Sequence, residues 1–252
     1  MRNLLGIAAF LASSLLAFQA AAQNDPAAER VKAELRKKVT EAPIDVVRKV
    51  PYGGLYEVVV GSEIFYTDEK ASFLLLGSIV DMKTRENVTE LRMRQLNKVS
   101  FDQLPIENAI KIVRGNGSRK VAVFADPNCG YCKRFERDLI GVNDITVYYF
   151  LYPILSPDSV QKAKAVWCAP DKGKAWLDYM VRDMSVPADS SCQTPIDKIL
   201  EWGKGKRIQG TPTMFFEDGE RVPGAIAIAD FEKKLAAAKP AAAAPSPRAS
   251  AQ

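Results

Sequence analysis

The stretch FADPNCGYCKRF, residues 124–135, sets Cys129 and Cys132 two residues apart, after an apolar run and at the start of a predicted helix. The thiolate, not the thiol, attacks disulfides, and a free cysteine with a pKa near ~8.5 is mostly protonated at neutral pH. A cysteine at a helix amino terminus meets unpaired N–H groups and the positive end of the dipole, which favour its charged form. Cys129 occupies that place. Cys132, one turn further on, is spaced to attack a mixed disulfide on Cys129, so the pair can open and close. Lys133 and Arg134 add positive charge nearby, but solvent screening keeps their effect small and neither is given a catalytic role.

The same spacing is half of many zinc sites, which need two further ligands. Only Cys168 and Cys192 remain, far from the pair and from each other, and neither belongs to a second C-x-x-C. A strand followed by a helix suits a redox motif better. Histidine is absent from the chain, which excludes zinc fingers with His ligands, Ser-His-Asp and Cys-His catalysis and imidazole proton transfer. About eighty residues downstream comes GTPTMFF, where Pro212 enters a strand. Such a proline is commonly an edge or turn residue. Beside a cysteine pair it gains another use: a cis Thr211-Pro212 bond would set the loop against the sulfurs and leave the Thr211 backbone free to pair with an extended substrate.

The compartment bears on all four cysteines. MRNLLGIAAFLASSLLAFQAAAQ has one Arg, an apolar stretch from Leu4 to Phe18 and small residues at Ala20 to Ala22, the pattern of a cleaved secretory signal over residues 1–22. The apolar run is shorter than the ~20 residues that span a bilayer. Export makes disulfide chemistry the first use to consider for cysteine. The 252 residues, 47% hydrophobic, suffice for one large or two small cores, and a formal charge of +5 without basic blocks gives no case for nucleic acid.

Positioning the pair falls to the flanking elements. Residues 23–85 read as a small α+β unit: Asp25-Pro26 starts a helix carrying Val31, Leu35 and Val39 on one side, and a Val-, Ile-, Phe- and Tyr-rich meander follows. Residues 86–105 read as a helical connector with Val88, Leu91, Leu96 and Val99 on one side, ending near Ser100 and Pro105. From 106 to 238 the pattern runs strand, strand, helix, strand, then mostly helix over 157–205, then a hairpin turning at Asp218-Gly219 and a final helix. Phe135 and Leu139 face inward from the helix that starts at Cys129. The Ala/Pro/Ser-rich residues 239–252 cannot form a packed face, are expected to be disordered and receive no role.

Together FADPNCGYCK, AVWCA followed by SSC, GTPTMFF and GERVPG resemble, in order and spacing, the periplasmic disulfide isomerases of the DsbC/DsbG type. The resemblance implies an α+β, cystatin-like amino-terminal dimerisation domain, a helical linker and an α/β thioredoxin-like domain with a helical insertion. It implies that Cys129 is the exposed nucleophile and Cys132 the resolving cysteine, that Thr211-Pro212 is the cis-proline loop, and that Cys168 and Cys192 form a structural disulfide. Gly130-Tyr131 between the cysteines resembles the isomerase branch, the DsbG branch usually having Pro first. The absence of His between the cysteines suits shuffling better than one-way oxidation.

The resemblance further implies a homodimer, with exposed strands around Phe65, Tyr66, Phe73 and Leu75 pairing with a second copy and two redox domains facing across an apolar cleft. Its implied partners are misfolded exported proteins and a DsbD-like membrane reductase, with no metal or other cofactor. The buried carboxylate of ordinary thioredoxins would fall at Val123, so proton handling for Cys132 is left to water, Glu57 or Asp126. Rival activities are a DsbG-like reductase of oxidised single cysteines and a holding chaperone with secondary redox activity.

Overall fold

The computed structural model describes residues 25–39, 43–61, 63–186 and 190–238. The expected signal segment and Ala/Pro tail lie outside the described residues. The chain divides into two compact units between Met93 and Arg94.

In the first unit α1 (Pro26–Lys38) opens with the Asp25 carboxylate accepting the Ala27 N–H, and it buries Ala28, Val31 and Leu35. That stripe packs on Ile44, Tyr56 and Val58 of an antiparallel sheet made of β1 (Ile44–Lys49), β2 (Tyr56–Val60) and β3 (Glu63–Thr67), in that order. The meander is therefore present, but it contains β1, which sequence patterning places before the strands. A register shift between Ile44 and Val46 breaks the alternation that marks a strand. Beyond β3, residues 73–80 form only the isolated bridges Tyr66 to Leu75 and Val80 to Asn87.

The connector differs from expectation. Its helix, α2 (Val88–Leu96), ends well before Ser100; Thr89 rather than Leu96 is the buried residue, and Leu96 is exposed. Val99 leaves the helix to donate its N–H to the Gly219 carbonyl, and with Leu104 it is buried in the second unit's core. Short 3-10 turns at Phe101–Gln103 and Ile106–Asn108 then lead to the first strand of that unit.

The second unit is a five-stranded sheet, with β4 (Ile110–Arg114), β5 (Arg119–Ala125), β6 (Ile145–Leu151), β7 (Thr213–Phe216) and β8 (Arg221–Pro223) in the order β4-β6-β5-β7-β8. Strands β5 and β6 are parallel, with Val123 opposite Tyr149, and every other pairing is antiparallel. A parallel pair needs a crossover, supplied here by α3 (Gly130–Asp138). Val121, Val123 and Ala125 face one core with Phe135, Leu139 and Trp176, while Ala122 and Phe124 face a second with Phe150, Phe215 and Ile199. Burial on both faces explains why β5 reads as an unbroken apolar run.

Between β6 and β7 lie α4 (Pro157–Cys168), α5 (Lys172–Arg182) and α6 (Ile196–Gly205), and α7 (Ile228–Ala237) closes the described chain. A disulfide joins Cys168 to Cys192 with Cα atoms 5.6 Å apart, tying the end of α4 to the segment before α6. The β7–β8 turn requires Gly219, which has φ +82° and sits where a Cβ would lie 3.0 Å from the Val99 carbonyl oxygen.

Candidate active site

The turn from β5 into α3 is built by Asp126. One of its carboxylate oxygens accepts the Asn128 N–H at 2.7 Å and the other the Leu155 N–H at 2.9 Å, while its carbonyl accepts the Cys129 N–H at 3.0 Å. Chain reversal over Asp126-Pro127-Asn128 thus delivers Cys129 to the N-cap position of α3. There its sulfur accepts the Cys132 backbone N–H at 3.2 Å. Across the site the Thr211-Pro212 peptide is cis, and the Thr211 carbonyl oxygen lies 3.2 Å from the Cys129 sulfur. Pro212 in turn fixes β8, since its carbonyl accepts the Gly224 N–H at 2.8 Å.

Both thiols are free and buried: Cys129, expected to be exposed, retains only 5% exposure because it packs at the N-cap of α3 against the Thr211-Pro212 loop, and Cys132 retains 1%. Hydrogen bonding from the Cys132 thiol, opposed by burial and assisted by Thr211 and the backbone N–H groups of Cys132 and Tyr131, lowers the Cys129 pKa from 9.0 to about 6. The Cys132 thiol moves the other way, held far above the ordinary range by burial first and by its hydrogen bond and charge interaction with Cys129 next. Two sulfurs one turn apart are therefore unequal: one is a thiolate at neutral pH and its neighbour a thiol.

The Thr211 hydroxyl is, among the described residues, the one buried side-chain polar atom without a hydrogen-bond partner, and it contributes to lowering both sulfurs' pKa values. A hydroxyl so placed can donate to negative charge on sulfur. Gly130 and Tyr131 are exposed, Tyr131 to 70%, so the face presented by the pair is open. Tyr131 also borders a cleft of about 210 Å³ with Arg134, Phe135, Asp138 and Ala225 to Ala227. Arg134 is exposed, while Lys133 reaches Asp183 and lies over the Tyr179 ring.

Two residues escaped sequence reasoning. Asn128, just before the nucleophile, binds the helical insertion: its amide NH₂ donates toward Ser156, Asp158 and Ser159, and its carbonyl accepts from Lys162 and Tyr179. Glu136, four residues after Cys132, is buried, accepting the Tyr149 hydroxyl at 2.8 Å and the Trp176 indole N–H at 3.3 Å. Burial raises its pKa from 4.5 to about 7 against those hydrogen bonds and the Arg114 charge.

The other carboxylates behave differently. Val123 is fully buried and apolar. Glu57 belongs to the first unit, where Arg48 at 2.6 Å and Arg92 at 3.1 Å hold it ionised. No group of three or more thiol or carboxylate side chains converges as a metal site would among the described residues.

A thioredoxin-like sheet carrying a cysteine pair at a helix amino terminus, opposite a cis-proline loop, defines the thiol–disulfide oxidoreductase class. The sequence comparisons narrow it. Residues 106–239 match the thioredoxin-like domain family and residues 19–90 the disulfide bond isomerase protein N-terminal domain. The probable thiol:disulfide interchange protein DsbC of Bordetella pertussis is 44% identical over 211 residues, 84% of this chain and 75% of that protein. The thiol:disulfide interchange protein DsbC of Escherichia coli is 29% identical over 222 residues, 83% of this chain and 87% of that protein. A crystal structure of a disulfide interchange protein from Neisseria gonorrhoeae superposes with TM-score 0.52 at 38% identity, over 54% of this chain and 99% of that one. The chain belongs to the DsbC family of thiol:disulfide interchange proteins.

Proposed function

We propose that the protein is a periplasmic protein-disulfide isomerase, exported by cleavage of residues 1–22, that works as a homodimer on misfolded exported proteins. The observation that carries the reading is the Cys129 sulfur at the start of α3, accepting a backbone N–H and facing the Thr211 carbonyl of the cis-proline loop. In the reaction the Cys129 thiolate attacks one sulfur of a wrong disulfide. A Cys129–substrate bond forms, the substrate S–S bond breaks, and the displaced substrate sulfur leaves as a thiolate. A different substrate thiolate then attacks the mixed disulfide, making the new pairing and returning Cys129 as a thiolate, with no net change in oxidation. When no substrate thiol arrives, Cys132 attacks instead and the substrate leaves reduced. The oxidised pair must then be reduced by a dithiol donor, which the family resemblance makes a DsbD-like membrane protein.

Dimerisation is assigned to the first unit. Phe73, Leu74, Leu75 and Leu76 are 40–74% exposed in sequence, and burying such a run on a second copy is favourable at about 25 cal/mol per Å². The set of contact residues is corrected from that expected, because Tyr66 is buried: its ring packs with Val50, Val59 and Ile64, and its hydroxyl meets Thr89. The test is recovery of activity from a substrate protein with scrambled disulfides. Cys129→Ala is expected to abolish recovery and Cys132→Ala to trap mixed disulfides; recovery at the native rate by Cys129→Ala overturns the assignment.

A further inference from the structure

Resolution by Cys132 requires that a thiol held far above the ordinary pKa range lose its proton as its sulfur attacks. The candidates raised by sequence do not serve. Val123 is apolar and fully buried, Glu57 is paired with two arginines in the other unit, and both Asp126 oxygens are committed to the backbone N–H groups that form the redox turn. Glu136 is a carboxyl in the same helix as Cys132, and its two oxygens accept side-chain hydrogen bonds, from Tyr149 and Trp176, rather than the backbone N–H groups that shape the redox turn. It follows Cys132 by four residues in α3, a spacing that puts two side chains on the same helix face with Cβ atoms about 5–6 Å apart. Both side chains are buried, at 1% exposure, on the face that packs under β6 and α5. What faces the carboxyl is the Tyr149 hydroxyl from β6, the Trp176 indole N–H from α5 and, through its charge, Arg114 of β4. No cation forms a salt bridge with it among the described residues, so no paired charge holds it in the ionised form as the arginines hold Glu57.

We propose that Glu136 is the proton acceptor of the resolving step, taking the Cys132 proton across one helical turn, directly or through one water. The proposal rests on Cys129 and Cys132 being nucleophile and resolving thiol. As the Cys132 sulfur attacks Cys129, the Cys129–substrate S–S bond breaks and the Cys129–Cys132 bond forms. The electron pair leaves on the substrate sulfur, and the proton passes from Cys132 to Glu136 and thence to solvent. The carboxylate is the working form, so resolution accelerates as pH rises through the Glu136 pKa of about 7.

The test uses the full reduced protein with dithionitrobenzoate, which releases one thionitrobenzoate when Cys129 attacks and a second, independent of reagent concentration, when Cys132 resolves. In the native protein the second rate is expected to follow one ionisation near 7. Glu136→Gln, close to isosteric, is expected to lose that inflection and slow the second phase by tenfold or more at pH 8, the lower range of general-base contributions, with the first phase unchanged. Tyr149→Phe removes a hydrogen bond that favours the carboxylate and is expected to move the inflection to higher pH, a shift that loss of packing alone does not produce. A native second-phase profile in Glu136→Gln overturns the proposal and leaves the cysteine roles standing. A first phase no faster than that of an ordinary thiol at pH 5 overturns the cysteine roles instead.

Discussion

The inequality of the two sulfurs has a measurable consequence in the pH dependence of Cys129. With its pKa brought from 9.0 to about 6, Cys129 is about nine-tenths ionised at pH 7, where a thiol of pKa 9 is about one-hundredth ionised. At pH 5 the two fractions are roughly one-tenth and one ten-thousandth. Lower basicity also weakens each thiolate, and a Brønsted coefficient of ~0.45 over three decades costs about 20- to 30-fold. The net advantage of Cys129 over the reference thiol is then about thirtyfold at pH 5 and about threefold at pH 7, reversing between pH 7 and 8. Alkylation of the reduced protein by iodoacetamide, followed by mass spectrometry across pH 4 to 10, reads this directly. Because only the pH dependence is compared, limited access to the sulfur scales every point alike. Cys132→Ala removes the largest stabilising hydrogen bond, so its profile is expected to shift toward higher pH with a lower rate at pH 5. A native midpoint near that of a free thiol, or a Cys132→Ala profile superimposed on the native one, refutes the reasoning.

Further consequences concern stability. Glu136 has a native pKa raised from 4.5 to about 7, so between those values the folded state holds a proton that the unfolded state has lost; stability falls as pH rises through that window, by about 3 kcal/mol. Urea unfolding of the reduced protein at pH 4.5 and 7.5 is expected to show that fall for this group, and the Glu136→Gln variant to lack it; equal pH dependence in both refutes the assignment. Removing the Cys168–Cys192 bridge by double Ala substitution opens a loop of sequence separation 24 and is expected to cost about 3 kcal/mol, read as a lower urea midpoint with the dithiol chemistry retained. In the first unit, Glu57→Ala removes the buried carboxylate shared by Arg48 and Arg92, whose own side chains keep partial solvent contact, and a loss of about 1–2 kcal/mol in thermal unfolding is expected. Gly219→Ala, at φ +82°, is expected to destabilise by about 1 kcal/mol.

What was legible in the sequence was local. Cysteine spacing, a strand entering a helix, and the Asp218-Gly219 hairpin depend on neighbours in the chain, and β5, α3, β6, β7 and β8 form where that pattern puts them. Strand β1 is hidden in the sequence because its irregular register erases the alternation, and the connector reads longer than it is because Val99 continues the helical spacing of Leu96 yet is buried, with Leu104 and Phe124, in the second unit's core. Asn128 gave no signal: its partners Ser156, Lys162 and Tyr179 are 28 to 51 residues away, and only tertiary packing of the insertion assembles them. Glu136 was concealed by composition. In the run KRFERD it looks like one more solvated charge, yet Cys132, Phe135, Glu136 and Leu139 make one helical stripe, and three of the four are residues that belong in a core. A carboxylate on that stripe conflicts with the local pattern, and such conflicts mark positions kept for chemistry rather than packing. The structure shows how the conflict is tolerated: Tyr149 and Trp176 supply the hydrogen bonds that an interior carboxyl requires, while leaving its charge unpaired.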